Sequence, residues 1–477
     1  MGEEKKISLI IFCSRLGHTC RNLSVHGPSF LARKDIHYIY RIIYFIIYVQ
    51  VWIAATATIW KYYTTYQENT IRFTTRTDYL DWNTTFPSVT VCEIANIDKI
   101  WTFSQKLDNE YNATMTNFIK DIVFFNGYCS SCISTCESAS FCNINFTYMT
   151  SIYRSECNEL FIECMWNDKP INCCQTFKPI YTEYGVCFSM NNNYISMKSN
   201  LFYVASASKR RLGSLKVIIS EDYEAFLHSH EDVPFWNMEY DRRITLKQGA
   251  EATFVYSITD VMNEPEVSLT TPEIRQCRFP EEVPLNFLGF RHYSYSICIS
   301  QCRILAQLEI CNCTDHLSPV EYRNRYCSLE GLKCLTKHYR RLKKLKVPGL
   351  DDTGLNCDCL PSCVEPDYNV VAKRFIARNK NKGGTVKFVL SNRPVERVTR
   401  QVARTTLDLV VAMGNCFGLC FGGSILSIME VLYYLCLKRN LNDEFKLLFS
   451  VWVFVFLSLY MSMVPTTQGI NYLTVGL

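Results

Sequence analysis

Histidine is scarce in this chain, with eight in 477 residues. The compact cysteine pairs Cys129-x-x-Cys132, Cys311-x-Cys313 and Cys357-x-Cys359 therefore have few imidazole partners for a zinc site. Charge is nearly balanced at a formal +5. No basic stripe is interleaved with aromatic residues, so nucleic acid is not an expected partner. No nucleophile–base pair and no metal-ligand cluster stands out, which argues against an enzyme and against a metal or cofactor. Ile7–Cys13 follows two lysines like a signal core, but a small-residue cleavage site is missing after it.

Cysteine itself is abundant, with 25 residues, of which 20 lie between Cys92 and Cys363. An even number in one block implies a disulfide-rich domain in an oxidising, extracellular compartment. The other five, Cys13, Cys20, Cys416, Cys420 and Cys436, lie within or near apolar runs. Four glycosylation sequons agree with that compartment: Asn83-Thr84-Thr85, Asn112-Ala113-Thr114, Asn145-Phe146-Thr147 and Asn312-Cys313-Thr314. A fifth match at Asn22 precedes the first apolar span and would stay unmodified in the cytoplasm.

Residues 37–60 form an apolar run of 24 residues flanked by Tyr38, Tyr40 and Trp60. It exceeds the ~20 residues needed to cross a bilayer core. A second run, 406–437, has 32 residues. A straight helix of that length would span about 48 Å, so it must tilt strongly or break. Lys5, Lys6, Arg15, Arg21, Arg33 and Lys34 outnumber Glu3, Glu4 and Asp35 before the first span, which places residues 1–36 in the cytoplasm. Residues 61–405 are then extracellular, and 438–477 form a C-terminal segment. Within it Leu447–Val464 is an 18-residue apolar run. That run fits a third span, an interfacial helix or the product of an atypical transcript.

The fold class that follows is a membrane protein: two transmembrane helices flank a large disulfide-rich mixed α/β ectodomain with a β core. Alternation at Leu215, Val217 and Ile219, at Ile244 and Leu246, at Phe254 and Tyr256, and at Val386, Phe388 and Leu390 predicts half-buried strands. Cys298 and Cys302 lie four apart in a helical pattern and so share one face, where two stacked bridges can hold a neighbouring segment.

The second run contains GNCFGLCFGGSILSIMEVLYYL, Gly414–Leu435. Glycine weakens helices, and a carboxylate in hydrocarbon is costly. Gly414, Gly418 and Gly422 fall at i, i+4 and i+8 on one helix face, where helices approach closely. Packing of a two-span anchor explains the glycines. It explains less well Ser424, Ser427 and Glu430. If several copies surround an axis, these residues face water, carbonyls and hydroxyls replace an ion's hydration shell, and a ring of carboxylates attracts cations.

Five elements in this order resemble the degenerin/epithelial sodium channel family. His26-Gly27 is similar to its cytoplasmic gating motif. Phe86-Pro87-Ser88-Val89-Thr90-Val91-Cys92 resembles its segment after the first span. Tyr184-Gly185-Val186-Cys187-Phe188 resembles its Gly-x-Cys-aromatic element. Cys357-x-Cys359-Leu360-Pro361-x-Cys363, followed by Tyr368, resembles its cysteine-rich thumb ending. Gly422-Gly423-Ser424 with Glu430 resembles its Gly-x-Ser filter and the acidic position below it. The arrangement is most like the insect pickpocket branch.

The resemblance implies a homo- or heterotrimer with cytoplasmic termini, a hand-shaped ectodomain and a sodium-preferring, amiloride-sensitive pore in the plasma membrane, in contact with lipid. It implies a selectivity filter at Gly422, Gly423 and Ser424, pore-lining Gly418, Ser427 and Glu430, and gating positions at His26, Gly27 and Val411. Val411 stands where the family usually has a small residue, and a bulky residue there favours the open pore. Asn415 and Cys416 replace the second glycine and its polar neighbour of a family element, and the run after residue 446 is not a family feature. Outside the resemblance, His26 reads as a solvated loop histidine. A non-conducting cysteine-rich receptor or accessory subunit is the competing function. ATP-gated receptor channels share two spans and a disulfide-rich ectodomain but lack the Gly-x-Ser and Glu arrangement.

Overall fold

A computed structural model describes residues 27–31, 35–68, 70–77, 82–96, 98–102, 113–134, 144–193, 202–205, 212–346, 354–377, 383–424 and 426–427. They fall into two compact units, one of residues up to Thr70 and from Arg404 onward, the other Ile71–Ala403.

The larger unit carries two main sheets. The eight-stranded one runs in the order Ile71–Arg76, Arg397–Val402, Ala250–Asn263, Gly384–Leu390, Ser214–Ile219, Phe161–Trp166 and Lys169–Ile171, with Asp367–Ala377 paired to Ala250–Asn263 off that path. It is mixed: Ala250–Asn263 runs parallel to Gly384–Leu390 and Arg397–Val402 but antiparallel to Asp367–Ala377. The five-stranded sheet follows Arg243–Leu246, Asp222–His228, Ser88–Ala95, Gly185–Met190 and Lys178–Thr182.

The alternating residues explain why these segments are strands. Leu215, Val217 and Ile219 are buried while their neighbours are half-buried, and Val386, Phe388 and Leu390 repeat the pattern. With Phe254 and Tyr256 they meet Val89, Val91, Tyr223 and Leu227 of the five-stranded sheet in one core. A period of two is what a pleated strand with one buried face requires.

Helical lobes surround this core. Ala113–Val123 buries Met115, Ile119 and Val123, spaced four apart, against Met149 and Tyr153 of Phe146–Tyr153. A second lobe gathers Phe118, Ile122, Phe125, Leu332, Leu335 and Leu342. Nine disulfides lie among the described residues. Cys298–Cys359 and Cys302–Cys357 stack along the helix Tyr295–Cys311, as the four-residue spacing predicts. Cys129 bonds Cys132, Cys311 bonds Cys334 and Cys313 bonds Cys327. None of the three compact motifs therefore keeps a free thiolate for zinc. Cys136 and Cys142 lie outside the described residues.

The Gly-x-Cys-aromatic element has a reason in the packing around it. Arg154 is buried, and its Nε and Nη2 donate to the Val123 carbonyl at 3.2 and 3.0 Å. Nη1 donates to Val186 O at 3.3 Å and Nη2 to Tyr184 O at 2.5 Å. Gly185, between those two carbonyls, has φ +88°, and a Cβ there would sit 3.0 Å from the guanidinium carbon. One cation thus ties the hairpin to the helix Ala113–Val123, and only glycine leaves it room.

In the smaller unit, Tyr38–Glu68 is a 31-residue helix that continues past the expected end at Trp60. Among the described residues it is the one helix long and apolar enough to cross a membrane. The second expected span is helical over Thr406–Phe421, 16 residues, and its part beyond Ser427 lies outside the described residues.

Candidate ion-conduction site

The second apolar run neither stays straight nor simply tilts; it breaks. Its start is set by a capping box: Thr405 Oγ accepts from the Asp408 N–H at 3.2 Å, and Asp408 Oδ2 accepts from the Thr405 N–H at 2.8 Å. Its end is set by Gly422, at φ +62°, whose N–H donates to Gly418 O at 2.8 Å. That is a left-handed helix stop, which glycine adopts without a Cβ penalty. Gly423 and Ser424 are non-helical, and Leu426 and Ser427 are helical again.

Ser424 and Ser427 cap each other across the break. The Ser424 N–H donates to Ser427 Oγ at 3.2 Å and the Ser427 N–H donates to Ser424 Oγ at 3.3 Å. This reciprocal pattern satisfies two donors where a helix restarts. Ser424 is exposed, whereas Ser427 is 5% exposed.

The glycines are not equivalent. A Cβ on Gly423 would fall 2.2 Å from Phe417 Cε1, so that position has no room for one. Gly418 would bring its Cβ 3.6 Å from Gly423 O, an ordinary contact, and Gly414 would meet nothing within 4 Å. Both therefore leave a smooth helix face, while Gly422 and Gly423 shape the break. The last carbonyls of the helix have no further helical N–H to take, and its C-terminus carries partial negative charge. A break of this kind offers oxygen to a cation.

Sequence reasoning missed how the break is held. Phe421 is 1% exposed. Its ring lies 4.3 Å from that of Trp52, 6.2 Å from Tyr48 and 5.3 Å from Phe417. Cys416 Sγ approaches Ala55 O at 3.8 Å. Tyr48, Trp52 and Ala55 are spaced four and three apart, so one face of the first helix receives Phe421 and Cys416; that periodicity was the available signal.

Gly27 has φ +111°, and a Cβ there would lie 2.2 Å from Tyr48 Cε2. Phe30 packs on Tyr44 at 4.3 Å. Val411 is 51% exposed and lies about three turns before the break. The structure thus brings Gly418, Gly422, Gly423, Ser424 and Ser427 together but not Val411. His26, Glu430 and Asn112 lie outside the described residues. Asn83, Asn145 and Asn312 are exposed. Asn145 caps Phe146–Tyr153, and Asn312, at φ +56°, closes Tyr295–Cys311.

The profile described as amiloride-sensitive sodium channel matches residues 19–434. The sodium channel protein Nach of Drosophila melanogaster is 22% identical, over 89% of this chain and 88% of its own length. Pickpocket protein 11 of Drosophila melanogaster is 22% identical over 75% of this chain and 63% of its own length. The bile acid-sensitive ion channel of Rattus norvegicus is 23% identical over 59% of this chain and 57% of its own length. With the profile spanning the described helix break and the whole cysteine-rich unit, the chain belongs to the amiloride-sensitive sodium channel family, a family of membrane ion channels and not of enzymes.

Proposed function

We propose that this chain is a subunit of a trimeric, sodium-preferring, amiloride-sensitive cation channel of the plasma membrane, gated by an extracellular stimulus. The observation that carries this reading is the helix stop at Gly422 inside an apolar run. Non-helical backbone at membrane depth is tolerated where it is buried in protein or lines a water-filled cavity. Three copies around an axis would set rings of carbonyl and hydroxyl oxygens at Gly422, Gly423 and Ser424. Ion selection would then depend on ring size and on how well those oxygens replace water. Glu430, eight residues on, would supply a ring of carboxylates that raises local cation concentration. Gly418 and Ser427 would flank the narrow level, and His26, Gly27 and Val411 would act in gating. In this reading the large disulfide-rich unit is extracellular and carries glycans at Asn83, Asn112, Asn145 and Asn312.

The test is whole-cell recording from cells expressing the chain, alone and with related subunits. Ser424→Cys should shift the reversal potential when external sodium is replaced by potassium. A packing role predicts lost surface expression and unchanged selectivity in the channels that remain. Wild-type reversal potential in Ser424→Cys channels at normal surface level would reject the filter.

A further inference from the structure

Cys416 and Cys420 are the two cysteines outside disulfides among the described residues. We propose that they form a site for a soft divalent metal ion, zinc or the chemically similar cadmium, completed by the Ala55 carbonyl oxygen of the first helix.

The helix Thr406–Phe421 sets the two cysteines at i and i+4, on one face and one turn apart. That is the spacing at which paired ligands on one helix reach the same zinc ion. The thiols are already neighbours, since the Cys420 side chain hydrogen-bonds with that of Cys416. Both are half-buried, so the pair is open to water on one side. The first helix adds an oxygen: Cys416 Sγ lies 3.8 Å from Ala55 O. In a tetrahedral zinc site, with sulfur at about 2.3 Å and oxygen at about 2.1 Å, a sulfur and an oxygen ligand stand about 3.6 Å apart. The contact is therefore already close to one edge of such a tetrahedron. A carbonyl has two lone pairs, and a helix uses one of them, so Ala55 O has one to give. Water takes the fourth position.

On binding, each S–H bond breaks, its proton passes to water, and that sulfur bonds the metal, with no change of oxidation state. Two thiolates cancel the charge of a divalent ion, so the filled site is neutral in an apolar run where net charge is costly. A monovalent soft ion would leave a negative charge there. Thiolates also select zinc-like ions over magnesium and calcium, which prefer oxygen. Cys420 stands two residues before the helix stop at Gly422, so the ion ties the turns ahead of the break to the first helix. The competing role is plain packing, with both cysteines acting as small apolar residues.

The test uses the full-length chain in phosphatidylcholine nanodiscs, kept under nitrogen without added reductant, with cadmium as probe. Binding is read from the ultraviolet thiolate-to-cadmium charge-transfer band, and zinc should displace it. Affinity should rise with pH, because both thiols must lose a proton. Cys416→Ser and Cys420→Ser should each weaken binding by more than about 100-fold, beyond the cost of changing an outer-shell partner, and the double variant should lose the band. X-ray absorption of the cadmium-loaded wild type needs no variant and should show two sulfur neighbours. No band at about 1 mM cadmium, a band that survives in the double variant, or a cadmium ion without sulfur neighbours would overturn the proposal.

Discussion

Alanine at position 422 would have to hold a φ near +62°. For an L-residue with a Cβ that conformation costs about 1–2 kcal/mol. The competing arrangement, a helix that runs on through residue 422, gains about 1 kcal/mol because alanine is the better helix former. Gly422→Ala therefore shifts the balance from broken toward continuous helix by about 2–3 kcal/mol, or roughly 30- to 150-fold. Gly423→Ala reaches the same end by another route. Its Cβ would overlap Phe417 at 2.2 Å, and Phe417 lies 5.3 Å from the buried Phe421 ring, so the displacement passes to the contact with Trp52. Gly414→Ala meets nothing within 4 Å of its Cβ in the single chain and leaves the break alone. The assay is the sodium-to-potassium permeability ratio from reversal potentials, with surface protein quantified in parallel. Gly422→Ala and Gly423→Ala should lower the ratio, and in Gly414→Ala channels that reach the surface it should not change. Wild-type ratios in both the Gly422 and the Gly423 variant at normal surface level would refute the link between the break and selection.

Two further outcomes concern the larger unit. The bridges Cys298–Cys359 and Cys302–Cys357 close loops of 61 and 55 residues that nearly coincide. Removing either should cost about 2–3 kcal/mol, and removing the second as well a further ~4 kcal/mol, because only then is the long loop released. Thermal melts of single and double Cys→Ser pairs should show that unequal spacing; equal steps would mean that the bridges do not share a loop. The second outcome is a pH dependence. Burial, with Asp232 beside it, pushes the Glu365 carboxyl from the usual 4.5 up to about 8. The folded state therefore holds that proton more tightly than the unfolded state, and the stabilisation is complete below about pH 4.5 and lost as pH rises toward 8. Glu365→Gln should flatten the melting temperature across that window, where wild type loses up to about 1.4 kcal/mol per pH unit. Parallel pH profiles for the two proteins would show that Glu365 titrates normally.

The helix break was legible because its determinants are local. Gly422, Gly423 and Ser424 carry the turn chemistry within three residues, and Thr405 with Asp408 writes the start of the same helix in a T-x-x-D pattern. The strands were legible for the same reason, since burial at Leu215, Val217 and Ile219 follows from a period that sequence displays directly. Even so, the i, i+4, i+8 pattern treated Gly414, Gly418 and Gly422 alike, and the structure separates them by backbone φ, which residue spacing does not encode. What sequence did not reveal depends on distant segments meeting. Cys277 finds Cys363 across 86 residues, and Ala250–Asn263 pairs in parallel with two strands that follow it by more than a hundred residues. Arg154 shows the consequence most sharply. Nothing in its own neighbourhood marks it, because the carbonyls it answers belong to Val123 on one side and to Tyr184 and Val186 on the other. The glycine that admits it looked like part of a cysteine motif.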